Sequence, residues 1–442
     1  MIRFIKSFLI FVVLYHILVT IVGYGVLGGA YPQLPALGRD GLWLLFFVIV
    51  LISNFKDIKA YLTTWKWPRI AFISIMIFGI GISFMKGKSV YDIFIGIKYG
   101  LLYLYIFLSA TFIGHIRSSK TPGIVTHESG IGNFLKFLKY LLITTLFVGF
   151  LRQGLKFIWP DFFLHIGYGP FNDFVFGNKP PIYYLTGYKG TSRRQGIFSG
   201  PNNYGYLLIA FFPAIIFLLK TKIEKIKTLF TNDKQTIINL SILLLWILAI
   251  GLTLSRTACI GGVVALTIVN IQRIKKNKKL SRGIGILLLA GIVGLSILKG
   301  ASTLGHIKAK FGSIQYVIQQ PSGYGLGTSG PAVNYHGTIL PENYYIQLML
   351  DIGTIGFILW TILIGLIIRL AKRIQETMRT KEKTEQERYI YLIRKGLNIG
   401  RVCLLVMGIF LHVFEDSMIN YLFFISRGIL TGYLSTYIKK RD

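Results

Sequence analysis

Three short stretches of this sequence hold side chains that could do chemistry on a phosphate-activated substrate. The first is Ser192-Arg193-Arg194-Gln195-Gly196-Ile197-Phe198-Ser199-Gly200-Pro201-Asn202. Arginine presents a planar fork of donors that matches phosphate oxygens. The second is Thr253-Leu254-Ser255-Arg256-Thr257, which interrupts two apolar runs with almost no loop. An ionisable residue so close to hydrocarbon is a functional candidate by default; snorkelling to the headgroups is the plain structural reading. The third is Glu342-Asn343, between the Gly-rich stretch 321–341 and a long apolar run. Pro341 suits the first turn of a helix, and an acid there meets the positive end of the helix dipole. Glu342 therefore reads either as a helix cap or as a general base. His336, six residues before Glu342, is the one histidine considered for a catalytic or substrate-binding role.

These stretches are set in a membrane-type sequence. The chain has 442 residues, of which 15% are charged, and a mean hydropathy of +0.59. Repeated apolar runs of spanning length predict one all-α polytopic membrane domain over 1–442. The runs number about twelve: 8–27, 40–54, 69–85, 91–114, 133–157, 203–219, 236–254, 257–272, 283–299, 342–369, 396–414 and 417–438. Two long segments, 158–202 and 300–341, are not apolar and are expected as extracytoplasmic loops. A third break, 370–395, mixes acids and bases at helical spacing and is expected as a cytoplasmic helix or hairpin.

The formal net charge is +32. On a soluble protein this would suggest nucleic acid, but the charges fall in short loops between apolar runs. With the N-terminus in the cytoplasm, the inside loops hold Lys56, Lys59, Lys66 and Arg69, then Arg117 and Lys120, then the 220–227 and 273–282 lysines and arginines, and the Lys439-Lys440-Arg441 tail. The outside loops hold fewer. The positive-inside rule thus places both termini inside and both long loops outside. Arg152 and Lys156 would extend a basic funnel at the outer face. Asp351 lies nine residues after Glu342, on the opposite face of one helix, and is expected to pair with a basic residue of a neighbouring span. Cys259 and Cys403 read as small core residues. No phosphate loop, H-E-x-x-H, D-x-D or G-x-S-x-G pattern is present, so neither metal nor cofactor is expected.

The order Arg193-x-x-Gly196-x-Phe198-x-x-Pro201-Asn202, Thr253-x-Ser255-Arg256, Gly323-x-Gly325, Glu342-Asn343-x-Tyr345 and Asp351-x-Gly353-x-x-Gly356 resembles the O-antigen ligase and polymerase superfamily. The motifs cover the second half of the chain; the first half is similar by hydropathy alone. The resemblance implies a metal-independent glycosyltransferase of the bacterial cytoplasmic membrane, acting in O-antigen, lipopolysaccharide or capsule-type polysaccharide biosynthesis. Its donor would be a glycan on undecaprenyl diphosphate, and its partners membrane lipids, a flippase and a chain-length regulator. Arg193 and Arg194 would bind the diphosphate; Glu342, Arg256 and Asn343 would be catalytic, Arg256 acting at the diphosphate; and Tyr345 and His336 would contact substrate. Ligases of this family usually carry a histidine just before the residue matching Asn343. Here Pro341-Glu342-Asn343 stands, which favours a polymerase. The other readings are a ligase acting on another acceptor and a transporter of lipid-linked sugars. A transporter should show internal repeats and charges near the bilayer midplane; no clear repeat is seen.

Overall fold

The computed structural model describes residues 1–26, 34–119, 130–169, 182, 184–185, 192–196, 198, 200–223, 234–276, 300–334, 336–379 and 385–436. Fifteen α-helices are present among these residues. In chain order they are α1 (Ile2–Val19), α2 (Leu34–Ser53), α3 (Phe55–Met85), α4 (Val90–Gly100), α5 (Leu102–Ser119), α6 (Gly130–Ile158), α7 (Pro160–His165), α8 (Pro201–Ile223), α9 (Lys234–Leu252), α10 (Arg256–Lys276), α11 (Gly300–Gln319), α12 (Tyr344–Arg379), α13 (Glu385–Met407), α14 (Ser417–Ile419) and α15 (Ile425–Ser435). One two-residue hairpin, β1 (Tyr184–Leu185) with β2 (Ser192–Arg193), pairs antiparallel.

Three helical stretches are long and apolar enough to cross a membrane: Phe55–Met85, Gly132–Ile158 and Tyr344–Thr377. A fourth is added if α4 and α5, bent by 66° at their junction, count as one broken span. Ile237–Leu252 and Arg256–Val269 are apolar but shorter. Of the twelve expected spans, three or four are shown among the described residues. The expected run 91–114 is broken at Leu101, and the run 8–27 changes from α to π winding at Thr20. The run 283–299 lies outside the described residues. The first twenty residues of the 300–341 segment, expected as loop, form α11.

The chain folds as two compact units. Unit one comprises Met1–Leu42, Val125–Gly300 and Thr384–Met407; unit two comprises Trp43–Ile124, Ala301–Lys383 and Gly408–Asp442. In unit one, α8 packs against α10 and α13. The backbones approach closely because a Cβ on Gly400 would overlap the Ala210 carbonyl oxygen. Small residues permit this approach between apolar helices, where dispersion and packing rather than water expulsion hold them together. In unit two, α15 packs on α5 and α12 on α3. Gly432 plays the same part there, with its Cα against the Thr111 carbonyl.

Candidate functional site

In unit one the arginine stretches converge. β2 carries Arg193 to the turn that joins α9 to α10. The amide of Arg194 donates to the Leu252 carbonyl at 2.9 Å. Arg193 Nε donates to the Thr253 carbonyl at 3.0 Å, and its Nη2 donates to Asn202 Oδ1 at 2.8 Å. Arg256, three residues beyond Thr253, is the first residue of α10. Arg193, Arg194 and Arg256 are thus gathered at one turn.

The turn is built for this. Leu254 adopts a left-handed φ of 48°. The Thr253 hydroxyl donates to the Ile250 carbonyl at 2.7 Å and accepts from the Ser255 amide at 3.2 Å. Ser255 Oγ then accepts from the Ala258 amide at 3.4 Å and caps α10. α8 also begins here, after Gly200. A Cβ on Gly205 would lie 2.6 Å from the Ala258 side chain, so the first turns of α8 and α10 are adjacent. The positive dipole ends of α8 and α10 thus lie together, with the Arg193 guanidinium beside them.

Arg152 and Lys156, expected to line a funnel, are instead 7% and 0% exposed within unit one. Arg152 Nη1 donates to the Gly196 carbonyl at 2.7 Å, and Nη2 bonds the Tyr168 hydroxyl. Lys156 Nζ bonds the Ile182 carbonyl. The Tyr168 ring lies 4.9 Å from the Arg152 guanidinium and 5.0 Å from Lys156 Nζ. These two cations brace the segment carrying Arg193 and Arg194 rather than presenting charge to a ligand. Their i, i+4 spacing on an apolar helix was the sequence signal for a shared buried face. The Arg194 guanidinium packs over the Phe157 ring at 4.8 Å.

Unit two holds Glu342, Asn343, Tyr345 and His336. The helix after the Gly-rich stretch starts two residues later than Pro341 suggested. Asn343 is its cap: Oδ1 accepts from the amides of Tyr345 at 2.9 Å and Ile346 at 3.1 Å, and Nδ2 donates to the Ile409 carbonyl at 2.8 Å. Glu342 precedes the cap with a left-handed φ of 49°, an uncommon state for a residue with a Cβ. The Tyr345 ring packs on Trp360 at 5.6 Å. His336 Nδ1 lies 2.9 Å from Asp92 Oδ1, on a side chain 67% exposed. Asp92 also closes a capping box with Ser89 at the start of α4.

The Gly-rich stretch is pinned along its length. Tyr324 N donates to the Leu350 carbonyl at 2.7 Å, Leu326 N to Ser83 Oγ at 2.8 Å, and Thr354 N to the Pro321 carbonyl at 2.8 Å. Gly327 has φ 82°, and a Cβ there would overlap the Asp92 carbonyl. Gly353 has φ 69° and ψ 174° and breaks α12 where this stretch lies against it. Asp351, expected in an ion pair, accepts at Oδ1 from Ser329 N at 3.0 Å and Ser329 Oγ at 2.8 Å. Among the described residues no group of three or more His, Cys, Asp or Glu could hold a metal ion.

No protein-family model matches the chain, and comparison with curated proteins finds no significant match.

Proposed function

We propose that this chain is a polysaccharide polymerase of the bacterial cytoplasmic membrane. It transfers a glycan from undecaprenyl diphosphate to a second lipid-linked repeat unit, on the extracytoplasmic side, with both termini in the cytoplasm. The observation that supports this reading best is the gathering of Arg193, Arg194 and Arg256 at the starts of α8 and α10. In the reaction a bond forms between the acceptor hydroxyl oxygen and the anomeric carbon. The bond from that carbon to the diphosphate breaks, and undecaprenyl diphosphate leaves. Negative charge grows on the diphosphate as it departs, and preorganised guanidinium groups stabilise it. The hydroxyl proton needs a base, and Glu342 is assigned that role on its motif. Asn343 fixes the backbone that follows Glu342; Tyr345 and His336 are assigned to substrate contact. No metal takes part. A flippase supplies the lipid-linked units and a chain-length regulator acts with the enzyme.

The test is reconstitution of the full chain in liposomes with undecaprenyl diphosphate-linked repeat units. Long glycan and free undecaprenyl diphosphate should appear together, and a chelator should leave the rate unchanged. Full activity of both Arg256→Ala and the Arg193→Ala/Arg194→Ala pair would overturn the reading.

A further inference from the structure

Unit two contains a cavity of about 190 Å³ among α2, α3 and α5. Phe47, Leu51, Ile73 and Phe112 supply apolar wall, and Arg69 and Tyr105 supply polar groups. Other polar side chains at the cavity are satisfied within the fold. The Tyr61 hydroxyl bonds the Leu108 carbonyl at 3.0 Å and Thr111 at 2.7 Å. Ser109 Oγ donates to the Ile106 carbonyl at 2.9 Å and accepts from Trp43 Nε1 at 3.1 Å. Arg69 Nη1 and the Tyr105 hydroxyl are different: both atoms are buried and neither has a hydrogen-bond partner among the described residues. A buried donor without a partner is costly, so two at one cavity point to an acceptor supplied from outside the chain.

The chemistry of that acceptor follows from its surroundings. One of the two donors is a cation, whose guanidinium already lies over the Tyr61 ring at 5.2 Å, so the ligand is anionic. The rest of the wall is aliphatic and aromatic, so the ligand is also apolar. The cavity is smaller than the ~300–1,000 Å³ of sites that enclose a whole small molecule, so it takes one part of a longer one. Beside the walls, α2 and α3 expose apolar side chains: Ile52 is 70% exposed and Ile70 43%. Towards the start of α3, Lys56, Lys59 and Lys66 are exposed as well. Basic residues at the end of an apolar helix attract anionic headgroups.

We propose that this cavity is a binding site for an anionic glycerophospholipid. Its phosphate takes hydrogen bonds from Arg69 Nη1 and the Tyr105 hydroxyl, and the first part of one acyl chain occupies the space between Phe47, Leu51, Ile73 and Phe112. The site is independent of any transferase chemistry.

The experiment uses the full chain in phosphatidylcholine nanodiscs doped with spin-labelled phosphatidylglycerol or spin-labelled phosphatidylcholine. Electron paramagnetic resonance reads the motionally restricted fraction of each label. The wild type should restrict phosphatidylglycerol preferentially. Arg69→Ala should weaken that preference by about tenfold, the loss expected for a charge-assisted bond. Tyr105→Phe should weaken it a few-fold. Ile73→Trp, which fills the cavity with both donors in place, should release the lipid too. Thermal melting establishes that each variant is folded, and if Arg69→Ala is not, Tyr105→Phe and Ile73→Trp decide. Unchanged selectivity in the folded variants overturns the proposal. Displacement of the label by excess inorganic phosphate would assign the donors to a free anion and would equally overturn the lipid.

Discussion

The Nε of Arg193 donates to the carbonyl of Thr253 at 3.0 Å, tying strand β2 to the turn before α10. The same side chain reaches Asn202 Oδ1 at 2.8 Å. Its fork is thus shared between a backbone carbonyl in the 253–256 turn and the first turn of α8. A lysine has one ammonium and no fork, so it cannot keep both bonds in one geometry.

Arg193 and Arg256 should therefore respond differently to lysine. Arg193→Lys is expected to lower stability by about 1–3 kcal/mol, because charge-assisted bonds are lost and Asn202 is left without its donor. Arg256→Lys should leave the melting temperature nearly unchanged while the rate of polymer formation falls sharply. Thermal melting in detergent, run beside the liposome assay, checks both. Equal melting temperatures for the two variants would remove the distinction.

Gly353 is where the Gly-rich stretch meets α12. Gly353→Ala is expected to cost at least about 2 kcal/mol, since φ is 69° and a Cβ would overlap the Ser322 carbonyl. Gly365→Ala, in the same helix with open space around its Cβ position, should be neutral or stabilising by up to about 1 kcal/mol. Comparison of the two melting curves tests whether the break is imposed by packing or by the residue itself.

Parts of this arrangement are legible in the sequence. The run 133–157 needs only its apolar length to be read, and it becomes α6 (Gly130–Ile158). The tight connection at Leu254-Ser255 shows as a cluster of polar residues, Thr253, Ser255, Arg256 and Thr257, between apolar runs. Helix α9 ends at Leu252 and α10 starts at Arg256. The breaks at Leu101 and Gly353 are not legible, because each lies inside a continuous apolar run. At Gly353 a stretch distant in sequence, Pro321-Ser322, lies against the backbone. The roles of Arg152 and Asp351 were hidden for the same reason. Their partners, Gly196 and Ser329, lie 44 and 22 residues away and engage them partly through backbone groups, which no side-chain pattern reveals. Composition likewise says nothing of a fold in which two units each collect three separate lengths of chain.

Asp351 and Ser329 should prove energetically coupled. Asp351→Ala leaves the Ser329 amide without its acceptor, while the hydroxyl keeps the Gln347 carbonyl at 3.2 Å, and is expected to cost about 1–3 kcal/mol. Ser329→Ala should cost less, because its amide still reaches Oδ1. In a double-mutant cycle the coupling energy should be about 0.5–3 kcal/mol. A value near zero would mean that Asp351 is held by other partners.

Glu342 offers the sharpest separation of stability from activity. Its φ of 49° places a side chain where glycine is at ease. The helix cap next to it is Asn343, not Glu342. If the carboxylate had only a structural part, Glu342→Gly would relieve the strained backbone and be stabilising by about 1 kcal/mol with activity kept. As the proposed base, it should instead give a more stable, inactive protein. Glu342→Gln keeps the shape and removes the basicity. It should make no chain longer than one repeat unit, with lipid-linked donor accumulating and the melting temperature unchanged. Glu342→Asp should retain some activity on its shorter stem. Asn343→Ala, by contrast, should lower stability by about 1 kcal/mol through loss of the cap. Long polymer from Glu342→Gln would leave the strain at this position without a catalytic reason and would pass the question of the base to His336.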